Sequence, residues 1–251
     1  VIHSTRLARW VLLTQLMYSV KSYADVTDAL VAETVAAEKA HHIQVAVLGT
    51  YVELAINDES RLCNVADFKS QLAVCKALGA GCIGTETTAM SKQPAGTTRT
   101  QAQELLCRSL AEILPAAEAL GVTVGIEPVT YHSMNSAAAT RHILDTMRSP
   151  NLKVIFDMSN LVSAENVDAQ DRIWYDMGAL LGDQIVAVHF KGQAFAPDGS
   201  LLHTSLEESR TDYAGAFAML RQLPQPALPV LREEAVPARA ASDIAFMKGF
   251  F

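Results

Sequence analysis

The chain has 251 residues, half of them hydrophobic and 19% charged, so it can bury a large core and lacks the composition of a disordered segment. Its formal net charge is −7 and its 20 Lys and Arg form no basic stripe, which argues against a nucleic-acid partner. The four cysteines, Cys63, Cys75, Cys82 and Cys107, form no C-x-x-C pair, and no apolar run reaches the roughly eighteen residues of a membrane span.

Taken in order, short apolar runs alternate with longer segments of helical period, the pattern of repeated βα units. Ser4–Trp10 reads as the tail of a helix, and the first strand candidate is Leu12–Met17. Helix Asp28–His41 and strand Gln44–Leu48 follow, then helix Val65–Leu78 and strand Cys82–Thr85. Next come helix Thr100–Leu120, strand Thr123–Ile126, helix Ser136–Met147 and strand Lys153–Phe156. Helix Ala169–Leu181, strand Ile185–His189, helix Tyr213–Leu223, strand Pro229–Arg232 and helix Ala238–Lys248 complete the chain. Gly79 and Gly121 fall between helix and strand, where a left-handed cap suits a residue without Cβ. His41 and His42 end a helix, where a cation favours the dipole, and are read as structural.

The expected fold is α/β, one TIM (β/α)8-barrel domain over residues 1–251. The run supplies seven strands where a closed barrel needs eight, so the first strand is expected to be missing, and an ordered strand before Leu12 would contradict this. A doubly wound sheet is the lesser alternative, because Gly79–Ala80–Gly81 precedes a strand and no Gly-rich phosphate turn follows one. The amino end shows no signal-peptide pattern, and a cytoplasmic location is expected.

In such barrels the working residues close the strands. Here those positions hold Glu86 in GTET, Glu127 in VGIEP, Asp157 in VIFDMSN, His189 in VAVHFK and Glu233 in PVLREEA. An unpaired carboxylate or imidazole after a buried strand is expensive. Any one of them could be a buried ion pair, but one divalent cation would compensate Glu127, Asp157, His189 and Glu233 together. Three carboxylates and one imidazole suit Mn²⁺ best, with Mg²⁺, Co²⁺ or Zn²⁺ as alternatives.

GIEPV, FDMSN, VHFKG and VLREE, in this order, resemble the motifs of the xylose isomerase-like barrels, closest to the sugar phosphate isomerase/epimerase and ketose 3-epimerase branch. The resemblance runs from about Gln15 through VAVLGTY and GTETT to the carboxyl end. It implies a small-molecule carbohydrate substrate, the same four metal ligands, and Glu127 and Glu233 as an acid/base pair. It also implies a first strand in complete relatives and is compatible with a homo-oligomer. The chemistry would be proton transfer beside a polarised carbonyl, giving epimerisation or aldose–ketose isomerisation.

The sequence departs from the family pattern at Gly192, where relatives often show Asp, and at Glu234, a second acid beside Glu233. Alternate strand residues face opposite sides, so one of the two points inward; Glu233 is chosen and Glu234 held in reserve. Glu86, His132, Asn160 and Lys191 are candidates for substrate contacts at the same mouth, and Tyr51 is a candidate to cover the substrate. Each also has an ordinary structural reading, as a cap, a solvated loop residue, a turn, an ion pair or a buried tyrosine. Two other functions stay open: a degenerate sugar-binding barrel without turnover, and an endonuclease for abasic DNA, which uses several zinc ions.

Overall fold

The computed structural model describes residues 10–11, 26–50, 52–225, 227–234 and 237–251. Its strands in chain order are β1 (Trp10–Val11), β2 (Gln44–Val45), β3 (Val47–Gly49), β4 (Cys82–Glu86), β5 (Val124–Glu127), β6 (Leu152–Asp157), β7 (Ile185–Phe190), β8 (Gln193–Phe195), β9 (Leu201–His203) and β10 (Val230–Arg232). The helices are α1 (Asp28–His41), α2 (Asp58–Leu78), α3 (Arg99–Leu120), α4 (Ala137–Met147), α5 (Gln170–Leu181), α6 (Tyr213–Leu220) and α7 (Ala240–Lys248).

Six strands form one parallel sheet in the order β10-β7-β6-β5-β4-β3, and β1 pairs in parallel with β2. This is the parallel wall of a TIM barrel with a helix after nearly every strand, as the alternation predicts. β2 and β3 are one passage of chain interrupted at Ala46, whose carbonyl accepts from Cys82 N–H at 3.1 Å. Trp10 lies in a strand rather than at a helix end, and the expectation that no ordered strand precedes Leu12 is corrected. Residues 4–9, the strand candidate Leu12–Met17 and Tyr51 lie outside the described residues. With β2 and β3 counted as one passage, the described residues supply seven barrel strands, β1 among them.

Strand parity separates two apolar layers. Ile83, Val124, Ile126, Val154, Phe156, Val188, Phe190 and Val230 point out against the helices and belong to the main core. Ala46, Cys82, Ile155, Ala187 and Leu231 point inward and form a smaller core. That inner layer is tight. A Cβ on Gly84 would stand 2.7 Å from Ile155 Cδ1, and one on Gly125 would stand 2.8 Å from Ile155 Cγ1, so both glycines make room for one isoleucine.

The helices begin and end where capping chemistry allows. Gly79 and Gly121 adopt φ of +66° and +67° after α2 and α3, as their position predicts. α2 begins earlier than the expected Val65, because the Asn57 side chain accepts from Ser60 N–H and starts the helix at Asp58. A capping box between Thr98 and Gln101 starts α3. Ser136 is the cap of α4 rather than its first residue. The antiparallel hairpin β8–β9 was not expected; it fills the long connection from β7 to α6.

Candidate metal centre

Parallel register brings the strand ends level. Glu86 pairs with Glu127 across β4 and β5, and Asp157 pairs with His189 across β6 and β7. Leu231 pairs with His189 and lies in the inner layer, so parity turns Arg232 outward and Glu233 inward. One ligand atom from each of Glu127, Asp157, His189 and Glu233 lies within 4.8 Å of the others. It is the one such group of metal-capable side chains among the described residues.

Asp157, Glu127 and His189 are buried, with Asp157 fully so. His189 Nδ1 stands 3.0 Å from Glu127 Oε2 and 3.3 Å from Glu233 Oε2. Yet Asp157 Oδ2, His189 Nδ1 and Glu233 Oε2 are buried with no hydrogen-bond partner among the described residues. Converging buried atoms that face one another without hydrogen-bonding geometry are what a shared cation requires, and the donor set fits a divalent ion.

The other predicted residues surround this group. Asn160 Nδ2 donates to Glu127 Oε1, and its Oδ1 accepts from Lys191 Nζ at 3.4 Å. Asn160 thus braces a ligand as well as facing the mouth. The turn itself is built by Asp157, whose Oδ1 accepts from Ser159 N–H at 2.6 Å and Asn160 N–H at 2.8 Å. Lys191 Nζ lies 3.1 Å from Glu233 Oε2, 3.6 Å from Asp157 Oδ2 and 3.7 Å from Glu234 Oε1. Its backbone is fixed through its carbonyl, which accepts from Tyr213 OH at 2.7 Å and from Ser159 Oγ. Glu86 Oε2 stands 3.9 Å from His132 Nε2, and its Oε1 is 3.5 Å from Asn160 Nδ2. Glu234 is exposed, in a left-handed conformation, and contacts the centre only through Lys191.

The electrostatics follow from crowding acids in a dry mouth. Burial, reinforced by Glu127, pushes the Glu86 carboxyl up to about 8. Burial likewise lifts Asp157 to about 7, with Lys191 opposing. For His189 burial opposes the charged ring, but Glu127 and Glu233 outweigh it and hold its pKa well above the ordinary value. Burial would raise Glu233, but His189 and Lys191 prevail and hold it well below the usual carboxylate range. Burial drives His132 down to about 4, against the opposing pull of Glu53.

Three features escaped the sequence reading. Thr50 is buried, lines the same pocket as Glu86 and Glu127, and leaves its Oγ1 without a partner among the described residues. Its signal was its place at the close of VAVLGT. Arg232 makes a buried ion pair with Asp243 of α7 at 2.7 Å and donates to the carbonyls of Phe190 and Glu233. Gly192 has no alternative: a Cβ there would collide with the carbonyl oxygens of Thr204 and Ser205.

A family model described as xylose isomerase-like TIM barrel matches residues 15–249. Among solved structures, a D-tagatose 3-epimerase-like protein superposes with a TM-score of 0.73 at 13% identity, covering 89% of this chain and 83% of that one. The IOLI protein with a bound zinc atom gives 0.72 at 17% identity, covering 96% and 86%. The 3-keto-D-glucoside 4-epimerase YcjR from E. coli gives 0.66 at 17%, covering 88% and 85%. At such identities the likenesses establish the fold. No curated protein matches the sequence. No helix among the described residues is long and apolar enough to cross a membrane.

Proposed function

The chain belongs to the xylose isomerase-like TIM-barrel family, and from that premise we propose that it is a divalent-metal-dependent isomerase or epimerase of a sugar or sugar phosphate. The observation that carries the reading is the convergence of four ligand atoms within 4.8 Å at the strand ends. Glu127, Asp157, His189 and Glu233 hold the ion, with Mn²⁺ the first candidate; the zinc of the IOLI protein keeps Zn²⁺ in view. When bound, the ion supplies Lewis-acid stabilisation of the negative charge that develops beside a substrate carbonyl.

The protein's own groups move the proton. Glu127 and Glu233 come from β5 and the end of β10, with β6 and β7 between them, so their carboxylates approach one substrate from separate walls. One removes the proton next to the carbonyl. The other returns it, to the opposite face in an epimerisation or to the neighbouring carbon in an isomerisation. Lys191, charged and 3.1 Å from Glu233 Oε2, offsets oxyanion charge. Glu86, whose carboxyl burial holds above the usual range, faces the same mouth and would hydrogen-bond a substrate hydroxyl, with His132, kept neutral by burial, 3.9 Å away.

Elemental analysis on the purified protein and on Glu127→Gln and His189→Ala, with solvent deuterium exchange into a ketose panel, tests this. The expected result is about one divalent ion per chain, lost in the variants, and exchange only with metal. Protein that takes up no ion when supplied with it would return the four side chains to ion-paired structure and favour a binding role without turnover.

A further inference from the structure

Beside the metal centre lies a second cleft of about 450 Å³, between the loop after β7 and the side chains of Arg232, Glu234 and Arg239. It is lined by Lys191, His203, Arg232, Arg239 and Glu234, together with Gly192 and Thr204. Arg232 is neutralised by Asp243 and Lys191 is shared with Glu233 and Asp157, so Arg239 and His203, with Lys191 at the inner edge, are the cationic groups left to face Glu234. We propose that this cleft is an anion subsite for the terminal phosphate or carboxylate of the substrate, and that Glu234 occupies it until the substrate arrives. The inference rests on reading the metal centre as a sugar-converting site, and it narrows the substrate to an anionic one.

Four observations support it. Lys191 joins the two sites, since its Nζ lies 3.1 Å from Glu233 Oε2 on one side and 3.7 Å from Glu234 Oε1 on the other. A substrate with its carbonyl at the metal centre would thus present its far end to the cleft. Glu234 already behaves as a bound carboxylate, with Oε2 3.1 Å from His203 Nδ1. It does so from a left-handed backbone, φ +54°, that a residue with a Cβ seldom adopts, and with its side chain 48% exposed. Finally, Glu234 is the one acid that lines the cleft. Asp243 pairs with the outward Arg232, and Glu208 reaches Arg239 only at 4.0 Å with both side chains exposed. Glu234 is the carboxylate that an incoming anion can displace.

The placement agrees with a general property of this architecture, in which loops after the last strands and the start of a following helix receive anions. Arg239 caps α7 without a side-chain hydrogen bond to its first turn, so the cap side chain does not satisfy that end. Gly192 adds no side chain, and hence no competing acid, to the floor of the cleft.

Opposed variants test the subsite. Sulfate is titrated by calorimetry into the metal-loaded protein against chloride at equal ionic strength, and then into Glu234→Gln and Arg239→Gln. Both side chains are exposed, so metal content should stay that of the parent. Glu234→Gln should tighten sulfate binding several-fold, and Arg239→Gln should weaken it about tenfold. Deuterium exchange is then compared for a free ketose, its terminal phosphate and a hydroxy-keto acid. The anionic compounds should show a KM about tenfold lower, which Arg239→Gln abolishes, and the preferred compound distinguishes phosphate from carboxylate. No sulfate binding, binding that neither variant alters, or exchange confined to neutral ketoses would overturn the proposal. If sulfate shows the opposed shifts while no compound exchanges, the subsite stands and the isomerase reading falls.

Discussion

Replacing Arg232 with Met should separate stability from metal binding. The Arg232 and Asp243 side chains are 11% and 4% exposed and meet at 2.7 Å, so removing the cation leaves a buried carboxylate without its partner. Breaking a buried pair in this way costs about 3–5 kcal/mol, or roughly 6–20 °C in Tm for a chain of this size. The companion double variant, Arg232→Met with Asp243→Leu, removes both charges and should recover most of that loss, since hydrophobic replacement of a buried pair is often neutral. Metal affinity should not recover. Arg232 also clamps the carbonyls of Phe190 and Glu233, and it is this clamp that fixes the backbone of the last ligand. Supporting contacts of that kind alter metal affinity by about 10–100-fold. Urea unfolding of both proteins with metal titration of each is the assay. A double variant that regains parental metal affinity along with stability would refute the positioning role.

Asn160→Ala removes the donor to Glu127 Oε1 and the acceptor for Lys191, and kcat/KM should fall by about 10–100-fold, as for lost hydrogen bonds to charged groups; a change within about threefold in the exchange assay would exclude that bracing. His132 should stay neutral down to about pH 4, readable as the imidazole titration by NMR. Its folded pKa lies below the ordinary 6.5, so its contribution to stability is lost as pH drops from 6.5 towards 4, and the stability–pH slope of the parent should differ from that of His132→Gln by at most about 1.4 kcal/mol per pH unit. Chelation of the metal should lower Tm, because an ion present at about a hundred times its Kd contributes about 2.7 kcal/mol; an unchanged Tm in parent protein that had held metal would contradict coupling of the centre to the fold.

The barrel was legible because its signals are local. Buried parallel strands are short apolar runs, and Gly79 and Gly121 mark left-handed caps by residue type alone. The strand-closing acids were legible for the same reason, since a polar residue after several apolar ones stands out. What escaped depends on tertiary distance. Arg232 and Asp243 are eleven residues apart, and no periodic pattern joins an outward strand residue to the following helix. The β8–β9 hairpin does carry a local signal, Pro197–Asp198–Gly199, where Gly199 takes φ of +83° and its N–H closes the turn on the Ala196 carbonyl; it escapes notice because the flanking strands are only three residues long. Trp10 was assigned to a helix because Ser4–Trp10 carries helical spacing, whereas pairing with Gln44 makes it a strand.

Under the proposed function, charge balance would account for the position of Lys191. Glu127, Asp157 and Glu233 bring three carboxylates to one buried point, and Glu86 adds a fourth acid whose carboxyl burial raises above the usual range. Against burial, Glu127 and Glu233 favour a charged His189 in the absence of the ion; as a ligand it would give up that proton and offer a lone pair and no charge. A dication leaves one negative charge over, and the ammonium of Lys191, within 3.6 Å of both Asp157 and Glu233, cancels it. The loaded centre would then be neutral in a mouth too dry to tolerate excess charge. A Lys191→Met variant would leave that negative charge uncancelled beside the substrate, where more negative charge develops during proton removal. The substitution should therefore depress kcat more than metal content, and equal losses of both would show that Lys191 serves the ion alone.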